Sequence, residues 1–357
     1  MESISPREFG RLPDGSSVRI FSLENRNGMK AAILDYGGIV QSLTAPDRLG
    51  GYADITLGFD SLQPYLRDSP YFGALIGRYA NRIAGGAYML EGKSYCAAAN
   101  DGRNSLHGGP RGFDKALWRV ERAEVAAEGP ELVLRHLSPD GDQGHPGTLD
   151  VAATYTLTNA DVMRIEFRAT TDEPTVVNLT GHSYFNLRGR GDILGHVLQL
   201  NASCFTPVDS SFIPTGAIRA VAGTPFDLRS PTVIGAKLVE SDEQLVNGRG
   251  YDHNWVMDDA RRSLSHQATL SEPETGRVLE VWSTEAGLQF YSGNFLDGTL
   301  RGKNGVVYPF RGGLALEPQN FPDAPNHSNF PSAELKPGET YRHIIEYRFS
   351  ADQKSRR

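Results

Sequence analysis

Long apolar runs are missing from this chain: no stretch approaches the roughly 20 residues that a membrane-spanning helix needs. Cysteine is scarce, with only Cys96 and Cys204 among 357 residues. Two thiols could form one bond but not a disulfide framework, and two buried reduced thiols is the simpler expectation. Positive charge is not in excess. The net charge of −7 argues against the clustered Lys and Arg that bind nucleic acid. The start, Met1 to Pro6, has neither a basic nor an apolar segment, so no signal peptide is expected and the cytoplasm is the expected compartment. Helical periodicity is also rare, and Thr232 to Glu243 is the best short candidate. Internal repeats, low-complexity linkers and charge blocks are absent.

What is there reads as strands. The 39 glycines and 21 prolines are spread along the whole chain, which suits many short strands joined by turns. Val151, Ala153, Tyr155 and Leu157 alternate with Thr154, Thr156 and Thr158. Met163, Ile165, Phe167 and Ala169 alternate with Arg164, Glu166 and Arg168. Tyr341, His343, Ile345, Tyr347 and Phe349 alternate with Arg342, Glu346 and Arg348. A period of two marks half-buried antiparallel strands. Asn27-Gly28 separates two strand-like runs and signals a hairpin; Pro13-Asp14-Gly15 and Pro139-Asp140-Gly141 signal further turns. The expected architecture is all-β, a large antiparallel β-sandwich formed as one domain over residues 1–357.

Two segments far apart in the chain offer proton-transfer groups: Gly181-His182-Ser183-Tyr184-Phe185-Asn186, and Leu316-Glu317-Pro318-Gln319-Asn320. A histidine beside a strand end can be held in one tautomer; it can equally be a satisfied core residue. Glu317 follows an apolar run, where burial raises a carboxyl pKa and makes a better base; the structural alternative is a buried ion pair with Arg. Asn81-Arg82 and the Gly-rich loop around His107 offer donors and acceptors to a polyhydroxylated ligand, or serve as ordinary turns. Gly250-Tyr251-Asp252-His253-Asn254-Trp255 packs an acid, a base, an amide and an aromatic together. It reads either as a sugar contact, with the indole stacked on the ring, or as a turn with Trp255 in the core. Gln289 lies on a strand running into a turn.

The ordered set Asn81-Arg82, Asn104-Ser-Leu-His107-Gly-Gly, Gly181-His182-Ser-Tyr-Phe-Asn, Gly250-Tyr-Asp252-His-Asn, Gly287-Leu-Gln289-Phe-Tyr and Leu316-Glu317-Pro-Gln resembles the aldose 1-epimerases, or galactose mutarotases, over nearly the whole chain. The resemblance implies the galactose mutarotase-like supersandwich, with an open cleft for one free aldohexose such as galactose or glucose. It implies His182 as general acid and Glu317 as general base. It assigns Arg82, His107 and Asp252 to substrate hydroxyls, with Asn81 and Gln289 as further contacts. Gly181 departs from members that carry Asn before the histidine. The reaction it implies needs neither cofactor nor metal, and the sequence lacks close ligand pairing such as His-Glu-x-x-His. On this reading His182 and Glu317 approach one pyranose from opposite sides, in a cleft rimmed by polar groups. A glycoside hydrolase using Glu317 with Asp252 and a non-catalytic sugar-binding module are the rival readings.

Overall fold

The computed structural model describes residues 4–67, 69–259 and 263–352. Three antiparallel sheets dominate the described residues. The largest has nine strands. Their spatial order runs Arg119–Val125, Pro130–Ser138, Leu149–Leu157, Val162–Thr171, Tyr341–Ala351, Arg277–Ser283, Ser265–Ser271, Val197–Leu200 and Thr232–Val233. The alternation read from the sequence sets its inner face: Val151, Ala153, Tyr155 and Leu157 are wholly buried, and so are His343 and Ile345. Glu346, on the opposite face, is buried too, because Arg164 and Arg348 both pair with it. A five-stranded meander at the N-terminal end runs Arg7–Arg11, Ser17–Glu24, Lys30–Leu34, Val40–Pro46 and Tyr52–Asp54. Its Asn27-Gly28 turn closes as expected. Gly28 adopts φ +89° and donates its N–H to the Asn25 carbonyl at 3.1 Å, a conformation that suits a residue without Cβ.

The third sheet carries the chemistry. Its six strands lie in the order Tyr184–Phe185, Leu314–Gln319, Gly287–Tyr291, Asp252–Val256, Cys204–Thr206 and Arg219–Ala220. Glu317 is opposite Gln289, which is opposite Asn254; Asp252 is opposite Tyr291. Residues directly opposed across a sheet point to the same side, so all five share one face. The intervening Leu316, Phe290, His253, Leu288 and Trp255 share the other and, His253 apart, join the main hydrophobic core. That face packs toward the nine-stranded sheet, where the Tyr347 hydroxyl donates to the Leu316 carbonyl at 3.2 Å and the Tyr347 and Phe185 rings lie 5.1 Å apart. Two sheets joined through a shared core make the sandwich.

Three expectations are corrected. Thr232 to Glu243 is not one helix: Thr232–Val233 is an edge strand, Ile234–Lys237 a single turn, and a new helix, Glu243–Asn247, begins after Asp242. The Asp242 carboxylate accepts from the Gln244 N–H at 2.8 Å, and such a cap starts a helix where the sequence suggested one ending. Asp252 to Trp255 is no turn but a central strand. Cys96 is exposed and Cys204 half-buried, and both are free thiols. No helix among the described residues is long and apolar enough to cross a membrane.

Candidate active site

Short pieces of backbone bring the dispersed residues together. Arg82–Ile83 pairs with Ser105–Leu106 in a two-stranded ladder, which sets Asn81 and His107 side by side. His107 donates its N–H to the Asn81 carbonyl at 3.0 Å, and the Asn81 N–H donates back to His107 Nδ1 at 3.1 Å. Because Nδ1 accepts, the proton of the neutral imidazole sits on Nε2. Burial, reinforced by His182 and Arg82, holds His107 neutral well below the usual histidine range. His182 enters from the Thr180–Gly181 strand, which pairs with Leu75–Ile76. Its N–H donates to the Ala74 carbonyl at 2.8 Å, and its carbonyl accepts from Gly73 at 3.0 Å.

These side chains line one open cleft of about 410 Å³, within the range of about 300–1,000 Å³ usual for small-molecule sites. Asn81, Arg82, His107, His182, Asp252 and Glu317 all face it. Gln289 sits behind them, donating to Asp252 Oδ1 at 2.7 Å. His253 does not reach the cleft; strand alternation turns it, with Trp255, toward Phe205 and Phe226 in the core. Arg82 is held by Asp101, whose Oδ2 accepts from Nε at 2.8 Å, and its guanidinium lies 4.7 Å from the Phe212 ring centre. The sequence reading missed Asp101, Tyr71, Phe212, Arg249 and Phe295 in this wall. The rim is therefore partly aromatic rather than polar throughout, with Phe295 49% exposed. Tyr71, Asn81, His107, Phe212 and Arg249 all have φ between +53° and +65°. Left-handed backbone at non-glycine residues is uncommon and gathers at ligand sites.

His182 and Glu317 are adjacent. His182 Nε2 lies 3.5 Å from Glu317 Oε2, and neither side chain is more than 6% exposed. A pyranose does not fit between them, which corrects the expectation that they face one another across the ring. Burial shifts the two in opposite directions and reverses their usual order. Glu317 is raised well above the carboxylate range, by desolvation first and the Asp252 carboxylate second, with Arg82 opposing. Burial lowers His182 to about 4. Asp252 is raised by its own burial, against Arg82 and Gln289.

His107, His182 and Glu317 bring one ligand atom each within 4.8 Å of the others, so a cation is the other use to test. The donor chemistry does not fit. A metal-binding histidine donates its second ring N–H outward, whereas His107 Nδ1 accepts a backbone proton and leaves N–H, not a lone pair, facing the cleft. A smaller cavity of about 120 Å³ lies beside Asn186 and Lys303. Its buried ammonium is already bonded to the Gln41 carbonyl, Asp54 and Thr56.

A buried histidine and carboxylate in contact, beside a cleft lined with hydrogen-bonding side chains on a large β-sandwich, suit an enzyme that moves protons on a polyhydroxylated molecule. The aldose 1-epimerase family model matches residues 19–348. The chain is 46% identical to a galactose mutarotase of Sus scrofa over 98% of its own length and 99% of that protein's. It is 39% identical to an aldose 1-epimerase of Escherichia coli over 95% and 97% of the two chains. Among solved structures, an aldose epimerase homologue from C. elegans superposes with a TM-score of 0.85 at 33% identity, covering 93% of this chain and 98% of that one. A galactose 1-epimerase from Lactobacillus acidophilus gives 0.86 at 27% identity, covering 98% and 99%. The chain belongs to the aldose 1-epimerase family, and it is an isomerase that interconverts the two anomers of an aldose.

Proposed function

We propose that residues 1–357 work as a single domain that interconverts the α and β anomers of free aldohexoses such as galactose and glucose, with His182 as general acid and Glu317 as general base. The observation that carries this reading is the 3.5 Å approach of His182 Nε2 to Glu317 Oε2 in the wall of the cleft. The ring oxygen and the C1 hydroxyl oxygen are bonded to the same carbon, so two adjacent groups serve them better than two groups set across the ring.

Protonated His182 gives its proton to the ring oxygen as the bond from C1 to that oxygen breaks. Glu317 takes the C1 hydroxyl proton, and the aldehyde forms. Rotation about C1–C2 turns the other carbonyl face toward the hydroxyl, and both transfers reverse on closure. The catalyst ends as it began, one proton shared between two groups. Burial favours neutral imidazole and neutral carboxyl, the state that opening leaves behind, so the charged pair that starts the opening step is the less populated form and proton transfer out of it runs downhill. Arg82, the Nε2–H of His107 and Asp252 take the substrate hydroxyls in this reading, with Asn81 at the same wall; Gln289 acts through Asp252. The partner is a monosaccharide. A free, exposed Cys96 suits a reducing compartment such as the cytoplasm. The test is polarimetry on freshly dissolved α-galactose and α-glucose, with and without the Glu317→Gln substitution. Rotation decaying at the spontaneous rate with the unsubstituted protein would reject the reading.

A further inference from the structure

A catalytic imidazole needs its ring orientation fixed as well as its backbone. The torsion that turns a histidine ring is broad and roughly two-fold. It is usually pinned by a hydrogen bond on the nitrogen remote from the reaction. His182 lacks a partner of that kind: its Nδ1 is buried and makes no hydrogen bond with any other described residue, and only its own backbone favours the charged ring. A flipped ring would set carbon where Nε2 now meets Glu317.

Rings do the work instead. Tyr184 lies nearly parallel to the imidazole, 5.1 Å between centres and 19° between planes. Tyr71 lies at 5.8 Å and 25°, and His107 presents itself nearly edge-on at 5.1 Å and 81°. Tyr184 belongs to the sheet, opposite Ala315, and is buried in a hydrophobic cluster. Tyr71 is different. It is half-buried at the cleft, has φ +65°, and also meets the His107 ring at 4.6 Å, with the Lys115 ammonium 5.2 Å from its own ring centre. Its turn is tied to the histidine's backbone: Ala74 donates to the Tyr71 carbonyl at 3.1 Å, Gly73 to the His182 carbonyl, and His182 to the Ala74 carbonyl. The segment that places His182 along the chain thus also carries the ring that packs against it.

We infer that Tyr71 is a positioning residue for the proton-transfer step, its ring fixing the rotation of the His182 imidazole so that Nε2 faces Glu317 and the sugar. This rests on the proposed role of His182. The ring, rather than the hydroxyl, is what the role requires. Tyr71→Leu should therefore lower kcat for mutarotation by about 10- to 100-fold, the scale of a small misplacement of a reacting group, while KM changes less than about threefold. Tyr71→Phe should restore most of that loss. Histidine NMR, with the His182 signal identified by its loss in His182→Asn, should show that resonance titrating closer to the ordinary histidine range in Tyr71→Leu. Tyr71→Met, also without a ring, gives the same reading should the leucine variant melt early. The inference is overturned if ring-less variants keep kcat, if only KM rises, if Tyr71→Phe loses as much as Tyr71→Leu, or if the His182 titration does not move. Absence of mutarotation by the unsubstituted protein would reject the proposed function instead, leaving the NMR comparison to judge the contact.

Discussion

The two faces of the six-stranded sheet are made by the same strands and behave as different materials. One presents Glu317, Gln289, Asn254 and Asp252; the other, one residue out of step, presents Leu316, Phe290, His253 and Trp255. Both faces are buried, and both hold an ionisable group displaced from its normal titration: His253 falls to about 3, and Glu317 is raised. A perturbed pKa therefore does not separate site from core here. What separates them is a cavity. The first face opens on the cleft of about 410 Å³, and the second closes on aromatic rings. Burial without an adjoining space is packing; burial beside a space is chemistry.

The largest expected effect comes from changing one atom type on the cleft face. Glu317→Gln keeps the shape and removes the carboxylate proposed as base, so kcat should fall by at least about 100- to 10,000-fold. Galactose binding and melting temperature should stay close to the parent. Trp255→Ala, two strands away on the opposite face, should do the reverse. It empties a fully buried site at a cost of about 3–5 kcal/mol, while the molecules that remain folded keep their rate. If Glu317→Gln mutarotates normally, the base is misassigned and the contrast between the faces fails.

The two histidines give the same contrast at smaller scale. His182→Asn should lower kcat about 100-fold with less change in KM, because a proton donor acts mainly in the transition state. His253→Phe leaves the Asp252 N–H without the Nδ1 acceptor it has at 3.1 Å, a loss of about 1–3 kcal/mol in stability. Its kcat should stay within a few-fold of the parent. A change in KM alone for His182→Asn would remove it from the proton relay.

Acid should weaken the whole molecule through the same kind of group. Burial lowers His145 to about 3, His182 to about 4, His196 to about 4 and His253 to about 3, from an unfolded value of 6.5. A folded pKa below the unfolded one means that the unfolded chain binds the extra proton. The stability from keeping these rings neutral is present above pH 6.5 and is lost as pH falls toward 4 and below. Glu317 and Asp252, raised by burial, act in the other sense, their contribution lost as pH rises through their folded values. Melting temperature should thus decline from pH 6.5 downward, and His253→Phe should flatten that decline. An unchanged slope in the variant would assign the acid sensitivity elsewhere.

The sequence made the strands legible because alternation is local: the buried positions of Leu149–Leu157 and Tyr341–Ala351 follow it almost residue by residue. Six of the seven expected site residues line the cleft, and Gln289 stands directly behind Asp252. Their roles were implied by the family resemblance, since nothing local says that residues 82, 182 and 317 meet. Asp252 to Trp255 was misread because Gly250 ahead of it and its crowding of polar types suggest a turn. Its period of two, acid and amide against imidazole and indole, would have sorted cleft from core. Tyr71 and Asp101 carried no signal of that kind: their contributions depend on a ring packed against another ring and a carboxylate behind a guanidinium, contacts that exist only once the loops are folded.

The smallest effect concerns the glycine next to His182. Gly181 has no left-handed backbone to protect, and a Cβ there would meet only Ile165 Cδ1, at 3.2 Å. That atom is the free end of a side chain and can shift by a few tenths of an ångström. Replacing glycine by alanine also restricts the unfolded chain, a gain of about 0.4–1 kcal/mol where the backbone already suits alanine. The two effects oppose, so Gly181→Ala should leave stability within about 1 kcal/mol of the parent and kcat within about twofold. Gly287, beside Asn254 in the sheet, is the comparison. Its Cβ would lie 2.3 Å from Asn254 Oδ1 and 3.0 Å from the Gln319 carbonyl, an overpacking that costs about 1–3 kcal/mol and displaces the amide next to Gln289. A Gly181→Ala variant that loses as much as Gly287→Ala would mean that the turn into His182 depends on more than the space around it, and that its glycine is part of how the acid is aimed.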